Sequence, residues 1–208
     1  MRKYLTKMWK YGILGMASFI LIAVIALPVQ AAWVTTEDNQ KMYTAADTKT
    51  GYYTGWKKIN KKYYFFDRHG YMKTGWFKVK GRWFYCDKKG VRKYQHEDLR
   101  LLAGITYFEA GCEPYEGKLA VANVVLNRVK SKKFPNTLED VIYQSGQFTP
   151  ALNGTLTRLW KSKKKIQPEC IKAAQEAMAG NNNVRDYYYF GCGQGSLKIG
   201  AHHFKKNY

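Results

Sequence analysis

The stretch over residues 51–93 repeats itself with a period of 20 residues, and this repeat limits the possible folds more than any other feature. Thr54-Gly-Trp56 returns as Thr74-Gly-Trp76, and Tyr63-Tyr-Phe-Phe-Asp67 returns as Trp83-Phe-Tyr-Cys-Asp87. Each unit places two aromatic-rich segments around a short polar turn, which is typical of a β-hairpin. Because a single hairpin cannot bury its own apolar face, we expect successive hairpins to stack into a short β-solenoid.

The residues before the repeat fall into two parts. Residues 1–31 have the form of a secretory signal, with four basic residues, an uncharged apolar run over residues 11–27 and small residues at Val29-Gln-Ala31 for cleavage. The apolar run approaches the length that spans a bilayer, so an uncleaved membrane anchor is the alternative, and we expect membrane contact only through it. Residues 32–50 are polar and are interpreted as a linker or a degenerate repeat, since Tyr43 and Asp47 keep the spacing of the repeat.

A second domain is predicted over residues 95–208, because helical periodicity replaces the aromatic alternation near residue 95. The first helix has an apolar face and ends at Glu109, before a turn at Gly111. Asn123 and Asn127 in the next helix are expected to make structural hydrogen bonds. We predict further helices over residues 114–130, 137–143 and 168–179, a basic loop over 158–165, and short strands over 186–190 and 197–204.

Glu109 is the candidate for acid catalysis. A carboxyl at the C-terminal end of a helix lies near the negative end of the helix dipole, and the neighbouring Tyr107 and Phe108 can partly desolvate it. Both effects raise the pKa, and a carboxyl that stays protonated near neutral pH can serve as a general acid. The alternative is a solvated surface residue. Glu113 lies in the first turn of the next helix, where the dipole explains a carboxylate, so Glu113 is only a fallback candidate.

Six motifs follow one another within residues 97–204, namely Glu109-Ala-Gly-Cys-Glu-Pro-Tyr-Glu-Gly117, the helix segment 120–128, Phe134-Pro-Asn-Thr137, Asp140-Val-Ile-Tyr143, Gly146-Gln-Phe148 and Ile199-Gly-Ala-His202. In this order they resemble the SleB-like (spore-cortex-lytic) cell wall hydrolase family. Two departures are Gly111-Cys112, where the family has Arg-Gly, and Ala201, where the family has Asn.

The resemblance implies an α+β chain. Its catalytic domain would be mostly helical, lysozyme-like and lytic-transglycosylase-like, with a small terminal β-hairpin, and the β-hairpin repeats would precede it. The implied substrate is peptidoglycan, no cofactor is needed, and the implied catalytic acid is Glu109, the first Glu of the Glu-Ala-x-x-Glu motif.

Further site residues are predicted around this acid. Gln147 and Phe148 lie in a loop, where they could hydrogen-bond to a sugar and stack on it. The resemblance implies substrate contacts for Tyr189 and His202. No set of His, Cys and carboxylate residues has the spacing of a metal site, so no metal is predicted.

The four cysteines allow three disulfide pairings outside the cell. The resemblance favours Cys112 with Cys192, because the family fold would bring their loops to one end of the cleft. A nucleophilic Cys112 would need a paired His and a recognisable context, and neither is evident.

The repeats resemble the choline-binding, or cell-wall-binding, repeats of Gram-positive surface proteins. In that family aromatic rings of adjacent hairpins enclose a choline ammonium group, which cation–π attraction holds. Related repeats bind glucans by stacking, and aromatic residues can also serve only as core. The residues that match the aromatic positions are Trp56, Tyr63, Tyr64, Trp76, Trp83 and Phe84.

The net charge of +20 could indicate nucleic acid, but an exported chain without a nucleic-acid motif is not expected to bind it. Wall polymers with phosphate and carboxylate groups would attract the same charge. Together with the charge and the predicted signal, the resemblance implies a secreted, cell-wall-associated enzyme that cleaves the bond between N-acetylmuramic acid and N-acetylglucosamine. The bond is either hydrolysed, with a second carboxylate, or attacked by the muramic acid C6 hydroxyl, which we favour. The alternative is a non-catalytic wall-binding protein. Spore cortex and vegetative wall both remain possible substrates.

Overall fold

The computed structural model describes residues 31–44, 49–162 and 165–207. Residues 1–30 of the predicted signal and the predicted repeat residue Asp47 lie outside these residues. None of the helices within the described ranges combines the length and the apolar character that a bilayer crossing requires.

The N-terminal part consists of antiparallel hairpins, which we call the hairpin module (residues 33–95). Its strands are β1 (Trp33–Thr35), β2 (Lys41–Tyr43), β3 (Gly55–Ile59), β4 (Lys62–Phe66), β5 (Gly75–Val79), β6 (Arg82–Cys86) and β7 (Arg92–Gln95). β1 pairs with β2, β3 with β4, and β5 with β6, while β7 adds a third strand beside β6. Residues 33–43 are thus a hairpin of their own, and β7 is a strand that the sequence did not indicate.

The hairpin turns have the geometry that their sequences predict. Asn60 and Lys61 have φ angles of 47° and 64°, and Lys80 and Gly81 have φ angles of 49° and 79°. Positive φ at both central residues is the requirement of a type I′ turn, whose twist matches that of the flanking strands. The turn that follows each hairpin is closed by Asp67 or Asp87, whose Oδ1 accepts hydrogen bonds from two backbone N–H groups.

Aromatic rings join each hairpin to the next, so the predicted stacking of hairpins is confirmed. Trp33 of β1 lies 5.0 Å from Tyr64 of β4, and Trp56 of β3 lies 4.9 Å from Phe84 of β6, measured between ring centroids. The apolar face of each hairpin is therefore covered by its neighbour.

The C-terminal part, which we call the helical domain (residues 96–205), contains six helices and three short strands within the described residues. They are α1 (His96–Ala110), α2 (Tyr115–Lys130), α3 (Leu138–Ile142), α4 (Thr149–Leu152), α5 (Thr155–Lys161), α6 (Pro168–Ala179), β8 (Tyr189–Gly191), β9 (Leu197–Ile199) and β10 (His202–Lys205). Buried aliphatic residues of α1, α2 and α6 form the main core. The α+β class is confirmed.

Local signals explain the ends of these helices. Thr137 Oγ1 accepts a hydrogen bond from Asp140 N and caps the start of α3, where the helix over residues 137–143 was predicted. α6 begins at Pro168 and ends before Gly180, whose φ of 104° suits the left-handed C-cap. The side-chain amide of Asn123 donates to the carbonyls of Leu119 and Asn181, and that of Asn127 donates to the carbonyls of Arg185 and Tyr187. These bonds confirm the predicted structural role of both asparagines.

Two predictions for this domain are wrong. Residues 158–165 are not a plain basic loop, because Arg158 belongs to α5, whose Leu156 and Leu159 are buried. Residues 197–204 are not one strand, because the chain turns at Gly200 and returns as β10 between β8 and β9. The terminal sheet therefore has three strands instead of two.

The hairpin module is docked on the helical domain without a linker. β7 ends at Gln95, α1 begins at His96, and the Asp98 carboxylate accepts a hydrogen bond from Gln95 N at 2.8 Å. Trp76 Nε1 donates to the carbonyl of Gln175 in α6 at 3.0 Å. Trp76, Trp83 and Tyr94 pack against the core of the helical domain.

Candidate active site

Glu109 lies in the last turn of α1, where it lines a groove of about 530 Å³. Its carboxyl is half-buried, and this burial raises the pKa above the usual value for a glutamic acid. The predicted direction of the pKa shift is thus confirmed, with desolvation as its cause. Such a carboxyl holds its proton to higher pH than an exposed one does, which suits proton donation.

The groove is built from three elements that meet at the end of α1. The loop before α4 contributes Gln147 and Phe148, α2 contributes Arg128, and the terminal sheet contributes Tyr189 and His203. Among the described residues that line it, Glu109 is the only carboxylate.

The loop residues Gln147 and Phe148 differ in their exposure. Gln147 is half-buried and lines the groove. Phe148 is only 3% exposed and packs into the main core, with its ring centroid 6.4 Å from that of Phe190. Phe148 therefore supports the groove wall, and it does not present the open ring face that we predicted for stacking on a sugar.

The strands of the terminal sheet place Tyr189 and His203 in the groove, but not the predicted His202. His202 lies against the rings of Phe190 and Phe204, with centroids 5.1 and 6.1 Å away. Successive side chains of a strand point to opposite faces, so of two adjacent histidines only one can face the groove. The strand register of β10 cannot be inferred from the sequence alone, so the two histidines could not be distinguished.

Glu113 lies in a different setting from Glu109. Its Oε2 accepts a hydrogen bond from Ala201 N at 2.9 Å, and its backbone carbonyl accepts from Lys118 Nζ. It lines a smaller pocket on the α1–α2 turn rather than the main groove. The hydrogen bond from Ala201 N to Glu113 links this turn to the β9–β10 turn, so the Glu113 carboxylate has a structural role.

The four cysteines are free thiols, so the predicted disulfide between Cys112 and Cys192 is not formed in this structure. Both are exposed. Cys112 lines the smaller pocket, whereas the neighbours of Cys192, Gly191 and Gly193, line the main groove. The two loops thus contribute to separate pockets. Cys86 and Cys170 are buried.

The six aromatic residues predicted to bind a wall ligand divide among three places. Tyr64 packs on the first hairpin, while Trp76 and Trp83 pack on the helical core. Trp56 and Phe84 meet between the second and third hairpins, and Tyr63 faces the same guanidinium as Trp56. That guanidinium belongs to Arg92, whose central carbon lies 4.5 Å from the Tyr63 ring centroid and 5.5 Å from that of Trp56. The ring faces of this cage are therefore occupied by a cation of the chain itself.

Arg128 is a groove residue that we did not predict. The signal was an arginine within a run of apolar α2 residues, at a position that is only 4% exposed. No group of three or more His, Cys, Asp or Glu residues in the described parts of the chain is arranged to hold a metal ion.

Comparisons with known proteins agree with this architecture. The Cell Wall Hydrolase family matches residues 112–204, and the choline-binding repeat matches residues 53–91. Glu109 precedes the first of these matches by three residues.

Relatives of both parts can be named. A spore cortex-lytic enzyme of Oceanobacillus iheyensis is 36% identical over 97 residues, which are 47% of this chain and 33% of that protein. The solved catalytic domain of the germination-specific lytic transglycosylase SleB from Bacillus anthracis is 30% identical, covering 54% of this chain and 96% of that one, with a TM-score of 0.48. Choline binding protein F from Streptococcus pneumoniae is 36% identical, covering 31% of this chain and 22% of that one, with a TM-score of 0.27.

The helical domain therefore contains a Cell Wall Hydrolase domain, which the family match places over residues 112–204. Within that family its curated relatives are spore cortex-lytic enzymes of the SleB type, and repeats of the choline-binding type precede the domain. The chain spans 33% of the length of the Oceanobacillus enzyme.

Proposed function

We propose that this protein is an exported enzyme that cleaves the glycan strands of peptidoglycan between N-acetylmuramic acid and N-acetylglucosamine, with Glu109 as the general acid. The observation that carries the proposal is a half-buried carboxyl of raised pKa on the groove of a Cell Wall Hydrolase domain. Proton donation from Glu109 to the glycosidic oxygen would assist departure of the leaving group as an oxocarbenium-like transition state forms.

The second half of the reaction is proposed to be intramolecular. Hydrolysis ordinarily uses a second carboxylate to activate water or to attack the sugar. Glu113, the fallback residue, is engaged with Ala201 N and lines another pocket, and Glu109 is the only carboxylate among the described groove residues. These observations favour attack by the C6 hydroxyl of muramic acid on its own anomeric carbon, with the hydroxyl proton passing to the Glu109 carboxylate that the first step leaves. The step yields a 1,6-anhydro product, restores the acid and consumes no water.

We further propose that the hairpin module holds the enzyme on anionic wall polymers. Residues 41–93 carry 15 Lys or Arg against three Asp, and such a surface attracts phosphate and carboxylate groups. Raising the salt concentration should therefore release the protein from isolated walls.

Mass spectrometry of the soluble products from purified peptidoglycan tests the proposed reaction. The wild type should release fragments ending in 1,6-anhydromuramic acid, and Glu109→Gln should release them about 10²–10⁴-fold more slowly. Reducing muramic acid ends would show hydrolysis instead. Binding to walls without release by the wild type, unchanged by Glu109→Gln, would identify a wall-binding protein without activity. Parallel digests of spore cortex and vegetative wall would identify the preferred substrate.

A further inference from the structure

Arg128 is held rigidly beneath the groove. Its Nε donates a hydrogen bond to the carbonyl of Tyr188 at 2.7 Å. The guanidinium carbon lies 5.2–5.3 Å from the ring centroids of Phe134, Phe148 and Tyr189. These contacts fix the plane of the guanidinium before any ligand arrives.

The same guanidinium is incompletely paired. Nη1 is buried and has no hydrogen-bond partner, although the side chain lines the groove. None of the ion pairs in the described parts of the chain involves Arg128. A buried charge is normally paired, because an unpaired one loses its hydration without compensation.

Glu109 does not supply the missing partner, although both residues line the groove. An arginine close to a carboxylate lowers the pKa of that carboxylate, whereas the pKa of Glu109 is raised and burial is the cause. Neutralising Arg128 with Glu109 would also remove the proton that the acid must donate. No carboxylate among the described residues therefore pairs with Arg128, which leaves a bound ligand as the source of negative charge that we consider.

We propose that Arg128 binds a carboxylate of the peptide substituent on the muramic acid next to the cleaved bond. A guanidinium presents two parallel N–H donors that match the two oxygens of a carboxylate, and the pairing would compensate the buried charge. In strands that carry peptides, the free carboxylates lie on the peptide stems, because the lactyl carboxyl of muramic acid is bound to the peptide as an amide. Arg128 would thus make the enzyme select strands that carry peptides, a specificity that rests on the proposed glycan cleavage.

The decisive experiment compares two substrates. Purified peptidoglycan is assayed before and after its carboxylates are converted to methylamides, at high salt so that attraction between exposed charges is screened. We expect wild-type kcat/KM to fall on the order of 10- to 100-fold on the blocked substrate, mostly through KM. Arg128→Gln should show a similar loss on the native substrate and little further loss on the blocked one.

Lys130→Gln is the matched control, since it removes one positive charge from the exposed end of the same helix. This variant should retain the wild-type preference for the native substrate. Arg128→Lys keeps the charge without the fork of donors and should give an intermediate loss.

Equal wild-type rates on both substrates would overturn the proposal, and this comparison holds even if Arg128→Gln fails to fold. An undiminished substrate preference in a folded Arg128→Gln would place the carboxylate elsewhere and would also overturn it. Failure of the wild type to release any product from native peptidoglycan would instead overturn the proposed function itself.

Discussion

The carboxyl of Glu109 lies in a setting that favours its neutral form, and this has a consequence for stability. Because its pKa is higher in the folded protein than in the unfolded chain, the folded state binds the proton more tightly. The free energy of unfolding must then fall as the pH rises from the unfolded pKa, about 4.3, through the folded pKa.

Replacing Glu109 by a neutral residue of the same shape should remove this loss. We expect Glu109→Gln to melt at a higher temperature than the wild type above the folded pKa, with the difference disappearing at pH values below the unfolded pKa. Thermal unfolding across a pH series measures this. Glu113→Gln keeps an acceptor for Ala201 N and should show no such gain. A Glu109→Gln variant less stable than the wild type at every pH would contradict the expectation.

The activity of the wild type should also decline as the pH rises through the folded pKa of Glu109, because the acid then loses the proton that it donates.

At Gly200 the β9–β10 turn approaches the α1–α2 turn closely, and this leaves no room for a side chain. Its φ is 62°, and a Cβ at this position would overlap Glu113 Oε2, which is bonded to the next backbone N–H. Gly146 has a similar φ of 74° but open space around its Cβ position.

The two glycines form a matched pair for mutation. Gly146→Ala should cost about 1–2 kcal/mol of unfolding free energy, because an L-residue is strained at positive φ. Gly200→Ala should cost about 1–3 kcal/mol more, since Glu113 must also leave its hydrogen bond. Denaturant unfolding of both variants measures the difference, and equal losses would show that the Glu113 contact contributes nothing.

At this scale, the sequence predicted the position of Glu109 well and the rest of the groove less well. Glu109 was singled out from two local signals, a helix end and a glycine turn, and from the resemblance of its Glu-Ala-x-x-Glu motif to the family, and its role as the acid stays a prediction. His203 and not His202 lines the groove because of the register of β10, and Phe148 is buried because it packs against Phe190. Strand register and this packing are both set by residues that are distant in sequence.

At the scale of the elements, the aromatic cage of Trp56 and Tyr63 between the second and third hairpins is already filled by a side chain of the protein, Arg92. Arg92 of β7 covers ring faces of Trp56 and Tyr63 that a quaternary ammonium would need. The strand that carries Arg92 was not predicted, so the sequence suggested an open cage.

Removing Arg92 should open this cage. We expect Arg92→Ala to gain millimolar-range choline binding that the wild type lacks, because two or three cation–π contacts of about 0.5–2 kcal/mol each become available. Calorimetric titration with choline measures the gain, and added choline should raise the melting temperature of the variant only. Arg82→Ala, which removes an exposed arginine paired with Glu97 instead, should gain nothing. Equal choline binding by the wild type and Arg92→Ala would contradict the idea.

The elements that sequence reasoning missed share a physical cause. α5 has only seven residues and runs into the basic segment 161–165, and its helical pattern rests on the two buried leucines of one turn, Leu156 and Leu159. β9 and β10 are too short to show alternation, and the turn between them is bonded through Ala201 N to Glu113, which is distant in sequence. Longer elements such as α2 and α6 carry several periods and were predicted nearly to the residue.

For the whole molecule, Trp56 and Trp76 provide a natural comparison. They occupy the same position in successive repeats, but Trp56 packs on the next hairpin whereas Trp76 packs on the helical core and bonds to Gln175. The helical domain therefore covers the apolar face of the last hairpin, as a further hairpin would.

Truncating the two tryptophans should separate their effects. Trp76→Ala should lower the stability of the helical domain by up to about 3–5 kcal/mol, whereas Trp56→Ala should weaken only the hairpin module. The helical circular dichroism signal during thermal unfolding distinguishes them. If both variants leave that signal unchanged, the junction adds nothing to the helical domain.

The direct join of β7 to α1 also fixes the reach of the enzyme. A catalytic domain on a flexible linker could reach every glycan strand within the length of that linker. Here the helical domain joins the hairpin module directly, so it would move only together with the proposed wall-binding module. We expect cuts to fall at a set distance from the anchoring polymer, so that fragments of a preferred length are released. Flexible residues inserted after Gln95 should broaden that length distribution.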